Sequence, residues 1–129
     1  MLSFLSHIAH AALGLLIGAI LGSFVNALSY RLPRGISMIA PRSSCPSCKT
    51  ILGVRDLMPI FSWLANRGRC RYCRVQFGAR YLYVELAMAG LCAFAFVLLW
   101  DNWFLLPVII MIASAATRIV MMLEKKQDG

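Results

Sequence analysis

Residues Leu5–Tyr30 read LSHIAHAALGLLIGAILGSFVNALSY, and no Lys, Arg, Asp or Glu precedes Arg31. A helix of about 20 apolar residues crosses the hydrocarbon core of a bilayer, so this stretch is long enough to span one. A secretory signal peptide would need a basic region before its apolar stretch, and the sequence has none there. We therefore expect residues 1–30 to form an uncleaved first transmembrane helix.

Two more apolar stretches lie near the other end of the chain, at about Tyr81–Trp100 and Trp103–Leu123. The first contains one charged residue, Glu85, and the turn Asp101-Asn102 separates the two stretches. Apolar residues make up 60% of the 129 residues, against about 45–50% in ordinary soluble domains. The sequence thus predicts an all-α membrane protein with three transmembrane helices, in which residues 81–129 form a helical hairpin and a short basic tail.

Positive charge is concentrated between the first and second predicted helices. Residues 31–80 hold ten of the 13 Lys and Arg residues and a single acid, Asp56. This segment therefore carries a charge of +9, and the rest of the chain carries −1, which gives the net charge of +8. Loops rich in Lys and Arg stay in the cytoplasm. The charge predicts a cytoplasmic loop over residues 31–80, a cytoplasmic C-terminus beside Lys125 and Lys126, and an N-terminus outside. This pattern argues against a soluble domain, a disordered chain or a secreted disulfide scaffold.

Small residues recur at every fourth position of the first predicted helix: Gly14, Gly18, Gly22 and Asn26. Repeated G-x-x-x-G places glycines on one face, where two membrane helices can approach closely. We expect this face to pack against another helix, with Asn26 adding a hydrogen bond between the two. The sequence leaves open whether the partner is the second span, the third span or another chain.

The loop contains two C-x-x-C pairs, Cys45-Pro-Ser-Cys48 and Cys70-Arg-Tyr-Cys73. Four thiolates from two such pairs supply the tetrahedral ligand set of structural Zn²⁺. A redox pair or two disulfides are the alternative, which a cytoplasmic location disfavours. We predict a zinc-ribbon-like loop with a closed Cys₄ site that leaves no position for a catalytic water.

The segment between the cysteine pairs is unusually apolar for a loop. Asp56 is suited to cap a short helix there, Pro59 to its first turn and Gly68 to its exit. Its apolar residues are Leu57, Ile60, Phe61, Trp63 and Leu64. They either lie in the membrane interface or cover the zinc pairs, and the sequence leaves both open.

Four ordered motifs together resemble the N-terminal part of bacterial type IV prepilin peptidases. They are Gly22-Ser-Phe-Val-Asn-Ala-Leu-Ser-Tyr-Arg-Leu-Pro33, the paired cysteine motifs Cys45–Cys48 and Gly68–Cys73, Pro59-Ile-Phe-Ser-Trp-Leu64, and Arg80-Tyr-Leu-Tyr-Val-Glu85-Leu86. The resemblance implies a polytopic protein of the bacterial inner membrane. It also implies a role in cleaving the leaders of type IV prepilins and of type II secretion pseudopilins. N-methylation with S-adenosylmethionine is a further activity that the resemblance implies.

The proteolytic half of that family uses two membrane aspartates, one of them in a G-x-G-D motif. No G-x-G-D occurs in these residues, and the position of the first aspartate corresponds to Met121-Met122-Leu123-Glu124. Glu85 and Glu124 are the acids expected near the inner boundary, where we interpret them as anchors at span ends. We expect the chain by itself not to be proteolytic and assign it no catalytic residue.

We therefore predict a stand-alone N-terminal module that works in pilin processing with a separate catalytic chain, or a degenerate homologue. The alternative is a membrane-anchored zinc scaffold that serves protein–protein contact without catalysis. Nucleic acid is not an expected partner, because the positive-inside pattern already accounts for the basic charge. The expected partners are the membrane and, through the resemblance, prepilins or a separate peptidase chain.

Overall fold

The computed structural model describes residues 1–37, 39 and 42–128, and of Leu2 and residues 124–128 it describes the backbone. The helices are α1 (Leu2–Arg31), α2 (Val54–Leu57), α3 (Phe61–Ala65), α4 (Arg80–Leu99) and α5 (Leu105–Asp128). Within the described residues, three of them, α1, α4 and α5, are long and apolar enough to cross a membrane. The predicted fold class, three membrane-spanning helices with a cysteine loop between the first and second, is confirmed.

The glycine face of α1 packs directly against the backbone of α4. A Cβ atom added to any of the three glycines would collide with the Cα atom of an α4 residue. These collisions are at 2.6 Å for Gly14 with Ala93, 2.6 Å for Gly18 with Ala89 and 2.7 Å for Gly22 with Glu85. The partner advances by four residues towards the N-terminus of α4 as α1 advances by four towards its C-terminus. The two helices are therefore antiparallel, and the partner that the sequence left open is the second span.

Asn26 continues this register by one more step. Its Nδ2 donates a hydrogen bond of 3.1 Å to the carbonyl oxygen of Tyr81 in α4. The side chain is 3% exposed, and its Oδ1 has no hydrogen-bond partner among the described residues. Asn26 thus contributes a hydrogen bond between α1 and α4.

A small apolar core joins the three long helices. Val25 of α1, Met88 and Cys92 of α4 and Val120 of α5 are buried against one another. Cys92 is fully buried there, far from the other cysteines in sequence, and acts as a small packing residue. Much of the remaining surface of the helices is apolar and exposed, as expected where lipid replaces water.

The two ends of the bundle differ in character. The C-terminus of α1 and the N-terminus of α4 meet at one end, and the cysteine loop emerges there. At the other end His10 stacks on Trp100 with ring centroids 4.3 Å apart, beside the Trp100–Phe104 connection. The predicted Asp101-Asn102 turn therefore lies at the end opposite the cysteine loop.

The helix predicted to start at Asp56 is two short helices instead. Asp56 lies inside α2 and accepts a 3.1 Å hydrogen bond at Oδ2 from the backbone amide of Gly53. The chain then breaks at Ile60, whose φ of 62° and ψ of −52° are far from helical values. Phe61 N donates to Pro59 O at 2.5 Å, which closes a γ-turn of the rare, strained type. The prediction of one helix in this segment was wrong because the turn at Ile60 separates α2 from α3.

Candidate metal centre

The two C-x-x-C pairs lie on turns with the same hydrogen-bond pattern. Cys45 N donates to Thr50 O at 3.0 Å, and Lys49 N donates to Cys45 O at 2.9 Å. The second turn repeats both bonds 25 residues later, from Cys70 N to Val75 O at 2.8 Å and from Arg74 N to Cys70 O at 3.0 Å. Isolated antiparallel bridges flank both turns, Ser44 with Ile51 and Arg69 with Gln76. The two C-x-x-C pairs thus lie on turns with the same backbone structure.

The residue after the second cysteine of each pair has a left-handed conformation. Lys49 has a φ of 58° and Arg74 a φ of 61°, a region that costs a residue with a Cβ about 1–2 kcal/mol. Each of these residues is basic and directly follows the second cysteine of its pair in the chain. The two turns therefore share a left-handed residue of the same charge at the same position.

The turns bring all four thiols of the loop together. The Sγ atoms of Cys45, Cys48, Cys70 and Cys73 all lie within 4.8 Å of one another, and Cys45 Sγ is 3.8 Å from Cys73 Sγ. Tetrahedral zinc with Zn–S bonds of about 2.3 Å requires S–S distances of about 3.8 Å. The donor set and its spacing therefore fit a Cys₄ zinc site. With four protein ligands such a site is closed to substrate.

The thiols of the cluster differ in acidity. The Thr50 hydroxyl, 3.3 Å from Cys48 Sγ, and the Thr50 backbone lower the pKa of Cys48 to about 6. For Cys73, a backbone hydrogen bond from Val75 lowers the pKa. Burial and the three neighbouring thiols together outweigh this effect and raise the pKa to about 11. Four thiolates repel one another, and a bound divalent cation removes that repulsion. The four-thiol cluster is therefore consistent with a site for a divalent cation.

Trp63 connects α3 to the second cysteine turn. Gly68 precedes that turn with a φ of +66°, and a Cβ added to it would lie 2.7 Å from Cζ2 of Trp63. Gly68 N also donates a 2.8 Å hydrogen bond to Trp63 O. Glycine is required here for both its left-handed conformation and the close ring contact. Trp63 thus packs against the residue at the start of the second cysteine turn.

Glu85 has a different role from the anchor that its sequence position suggested. The residue is 8% exposed, and its Oε2 accepts a 2.7 Å hydrogen bond from the backbone amide of Ile60. On its other side Glu85 packs against α1, where a Cβ added to Gly22 would lie 2.7 Å from the Cα atom of Glu85. Glu85 therefore joins the cysteine loop to both packed helices. The interpretation as a span-end anchor was wrong because the loop folds back over the carboxylate, which sequence spacing does not show.

The other acid considered near the inner boundary, Glu124, has a side chain outside the described part of the structure. The same holds for Lys125 and Lys126 of the predicted basic tail. The backbone of these residues belongs to α5.

Comparison with known proteins places this arrangement in a family. The model of the bacterial peptidase A24 N-terminal domain matches residues 16–99, well over half of the chain. The chain belongs to this family. Residues 16–99 include Gly18 and Gly22 of the packing face, all four cysteines of the cluster, Glu85 and the end of α4, whereas α5 lies beyond them.

Several curated relatives are similar to the chain over the same region. A prepilin leader peptidase/N-methyltransferase of Myxococcus xanthus is 44% identical over 79 residues, covering 61% of this chain and 23% of that protein. One of Bacillus subtilis is 38% identical over 96 residues, covering 74% of this chain and 39% of that protein. The chain thus spans between 23% and 39% of the length of these relatives. No solved structure matches it.

Proposed function

We propose that this A24 N-terminal domain is the structural, zinc-binding part of a prepilin-processing peptidase of the bacterial inner membrane. The observation that carries the proposal is that the family match spans the four-thiol cluster together with the helices that hold it. A closed Cys₄ site stabilises a fold and does not activate water. The role proposed for residues 31–80 is therefore structural: the zinc site holds the loop folded at the cytoplasmic end of the helices.

Proteolysis by this family's chemistry needs two carboxylates close enough to share a proton. Among the described side chains, Asp56 binds the amide of Gly53, Glu85 binds the amide of Ile60, and Asp101 lies at the opposite end of the bundle. These three acids are thus engaged in local structure or far apart. We infer that none of these three described acids serves as a catalytic carboxylate.

The orientation that we propose follows from charge. The cysteine loop, which carries +9, faces the cytoplasm together with the C-terminus, and the N-terminus lies outside. This places the cluster in a reducing compartment, where cysteines stay available for metal. Reporter fusions at the Asp101-Asn102 turn and within the cysteine loop test it: only the turn should report an external location.

The function is tested by co-expressing the chain with a G-x-G-D catalytic half in a strain that lacks its own prepilin peptidase. Leader cleavage should require both parts, and Cys45→Ser should reduce it to the level of the catalytic half alone. Cys92→Ala, which changes a cysteine outside the cluster, is the matched control and should leave cleavage intact. Cleavage by the catalytic half alone at full rate would contradict the proposal and favour a zinc scaffold without a role in catalysis.

Methyl transfer is a separate activity that the relatives' names include. Labelled S-adenosylmethionine and a cleaved pilin, added to the reassembled pair, test whether this domain contributes to it. Because the pilin is already cleaved, label transfer that the catalytic half alone does not perform and that Cys45→Ser removes would assign the domain to methylation. No label transfer by the active pair would exclude it.

A further inference from the structure

The two short helices of the loop present large apolar side chains to their surroundings. Phe61 is 69% exposed and Leu64 is 56% exposed. These residues are three positions apart on α3 and therefore share a face. Leu57 and Met58, just before the turn at Ile60, are exposed as well. Trp63, which packs on Gly68, is the large side chain of α3 that turns inward.

The hydrogen bond to Glu85 fixes where this apolar surface lies along the membrane helices. α4 has 20 residues, which corresponds to about 30 Å, the thickness of the hydrocarbon core. Glu85 is five residues from the start of α4, or about 7.5 Å along its axis. Ile60, bonded to it, is therefore held within about 7.5 Å of the boundary between hydrocarbon and headgroups, a depth typical of interfacial segments. Phe61 follows directly in the chain.

The loop that carries this surface is strongly basic. Five arginines of the loop have exposed side chains: Arg55, Arg67, Arg69, Arg71 and Arg74. The one acid of the loop, Asp56, is engaged with the amide of Gly53. Anionic lipid headgroups attract basic residues near a bilayer by about 1 kcal/mol each. An apolar face flanked by basic residues is the pattern of a segment that lies in a membrane interface.

We propose that α2 and α3 form an interfacial segment that binds anionic lipid, with Phe61 and Leu64 among the acyl chains and the arginines at the headgroups. The bond between Ile60 and Glu85 sets the depth of the segment. A lipid surface fits better than a protein partner because both the depth and the charge match the bilayer that α4 already crosses. The loop is thereby held against the membrane surface at a fixed depth.

A depth measurement tests the position of the segment. Phe61→Trp, with the three native tryptophans changed to Phe, provides a single fluorescent reporter at an already exposed position. In vesicles, lipids brominated near the headgroup should quench this reporter strongly, and acrylamide in the water should quench it weakly. Strong acrylamide quenching with no effect of the brominated lipids would overturn the proposal. Retained zinc in the reporter protein verifies that the loop is folded.

The lipid specificity is tested by adding phosphatidylglycerol to phosphatidylcholine vesicles. Brominated-lipid quenching should rise by about twofold or more and should fall again at high salt, because salt screens the headgroup charge. Arg67→Gln with Arg69→Gln should abolish the rise. Arg118→Gln, which removes one charge from α5, is the control and should keep it. Equal quenching in both vesicle types would overturn the assignment to anionic lipid.

Discussion

The backbone amide of Ile60 donates a 2.7 Å hydrogen bond to Oε2 of Glu85, and this bond joins the cysteine loop to the membrane helices. Ile60 is β-branched and has a φ of 62°, so its turn is strained. Backbone strain of this kind costs about 1–3 kcal/mol and persists when surrounding contacts hold it. A buried carboxylate that accepts the amide is such a contact. Glu85 therefore stabilises the strained turn that leads into α3.

Replacing Glu85 tests this dependence. In Glu85→Leu the amide of Ile60 loses its acceptor, which costs about 1–3 kcal/mol in a buried position. We expect α2 and α3 to detach and trypsin to cleave the loop, for example after Arg55 and Arg67, about tenfold faster or more. Glu85→Gln keeps an oxygen acceptor of the same shape and should stay close to the parent rate. Equal cleavage of Leu and Gln variants would contradict the role given to the hydrogen bond.

The membrane helices were predictable from sequence because apolar length and the G-x-x-x-G repeat act locally along a helix. Leu5–Tyr30 predicted most of α1, and Gly14, Gly18 and Gly22 lie on the face of α1 that contacts α4. The partner of that face was not predictable. Sequence repeats show which face is small, whereas the partner depends on how the 48-residue connection between α1 and α4 folds.

The cysteines of the candidate site could be identified from the sequence, but the contact that joins their loop to the membrane helices could not. Two C-x-x-C pairs are a local signal, and the structure brings their thiols together. The turn at Ile60 and its bond to Glu85 were missed, because they depend on a contact between residues 25 positions apart. One signal existed: Glu85 is the single acid within an otherwise apolar span, and an acid in such a place usually has a specific partner.

The close packing of α1 on α4 predicts an asymmetry between two glycines. Gly18→Ala places a methyl group against the backbone of Ala89, and such overpacking costs about 1–3 kcal/mol. Gly90→Ala adds the same methyl group to α4 where nothing lies within 4 Å of it. We expect Gly18→Ala to lower the midpoint of unfolding in a denaturing detergent titration. Gly90→Ala should leave it unchanged or raise it slightly, since alanine favours helix. Equal loss in both variants would show that the glycine face is not a packing interface in the membrane.

The four-thiol cluster predicts a zinc content that depends on particular cysteines. The purified chain should contain about one zinc per molecule, and Cys45→Ser should lose it, because removal of one of four ligands opens the site. Cys92→Ala should retain the metal, since Cys92 is buried among the helices. Elemental analysis measures both. Zinc in Cys45→Ser at the parent level would contradict the proposed ligand set.

Removing the metal should separate the loop from the helices. Chelation is expected to make the loop sensitive to trypsin while the circular dichroism of the long helices is retained, because α1, α4 and α5 pack through contacts outside the cluster. Loss of helix signal together with zinc would instead show that the cluster supports the whole bundle. Glu85→Leu offers a comparison, since it should release α3 while the zinc remains bound.

Two glycines with the same backbone conformation separate the contribution of Trp63 from that of the turn. Gly35 and Gly68 have φ values of +64° and +66°, but a Cβ at Gly35 meets nothing within 4 Å, whereas at Gly68 it meets the Trp63 ring at 2.7 Å. Gly35→Ala should therefore show the conformational cost alone, about 1–2 kcal/mol. Gly68→Ala adds the displacement of Trp63, a further cost of about 1–3 kcal/mol. We expect faster tryptic cleavage of the loop in Gly68→Ala than in Gly35→Ala. In a Trp63→Ala background the ring is absent, so adding Gly68→Ala should accelerate cleavage no more than Gly35→Ala does. If both single variants are cleaved at the same rate, the ring contact does not hold α3 against the second cysteine turn.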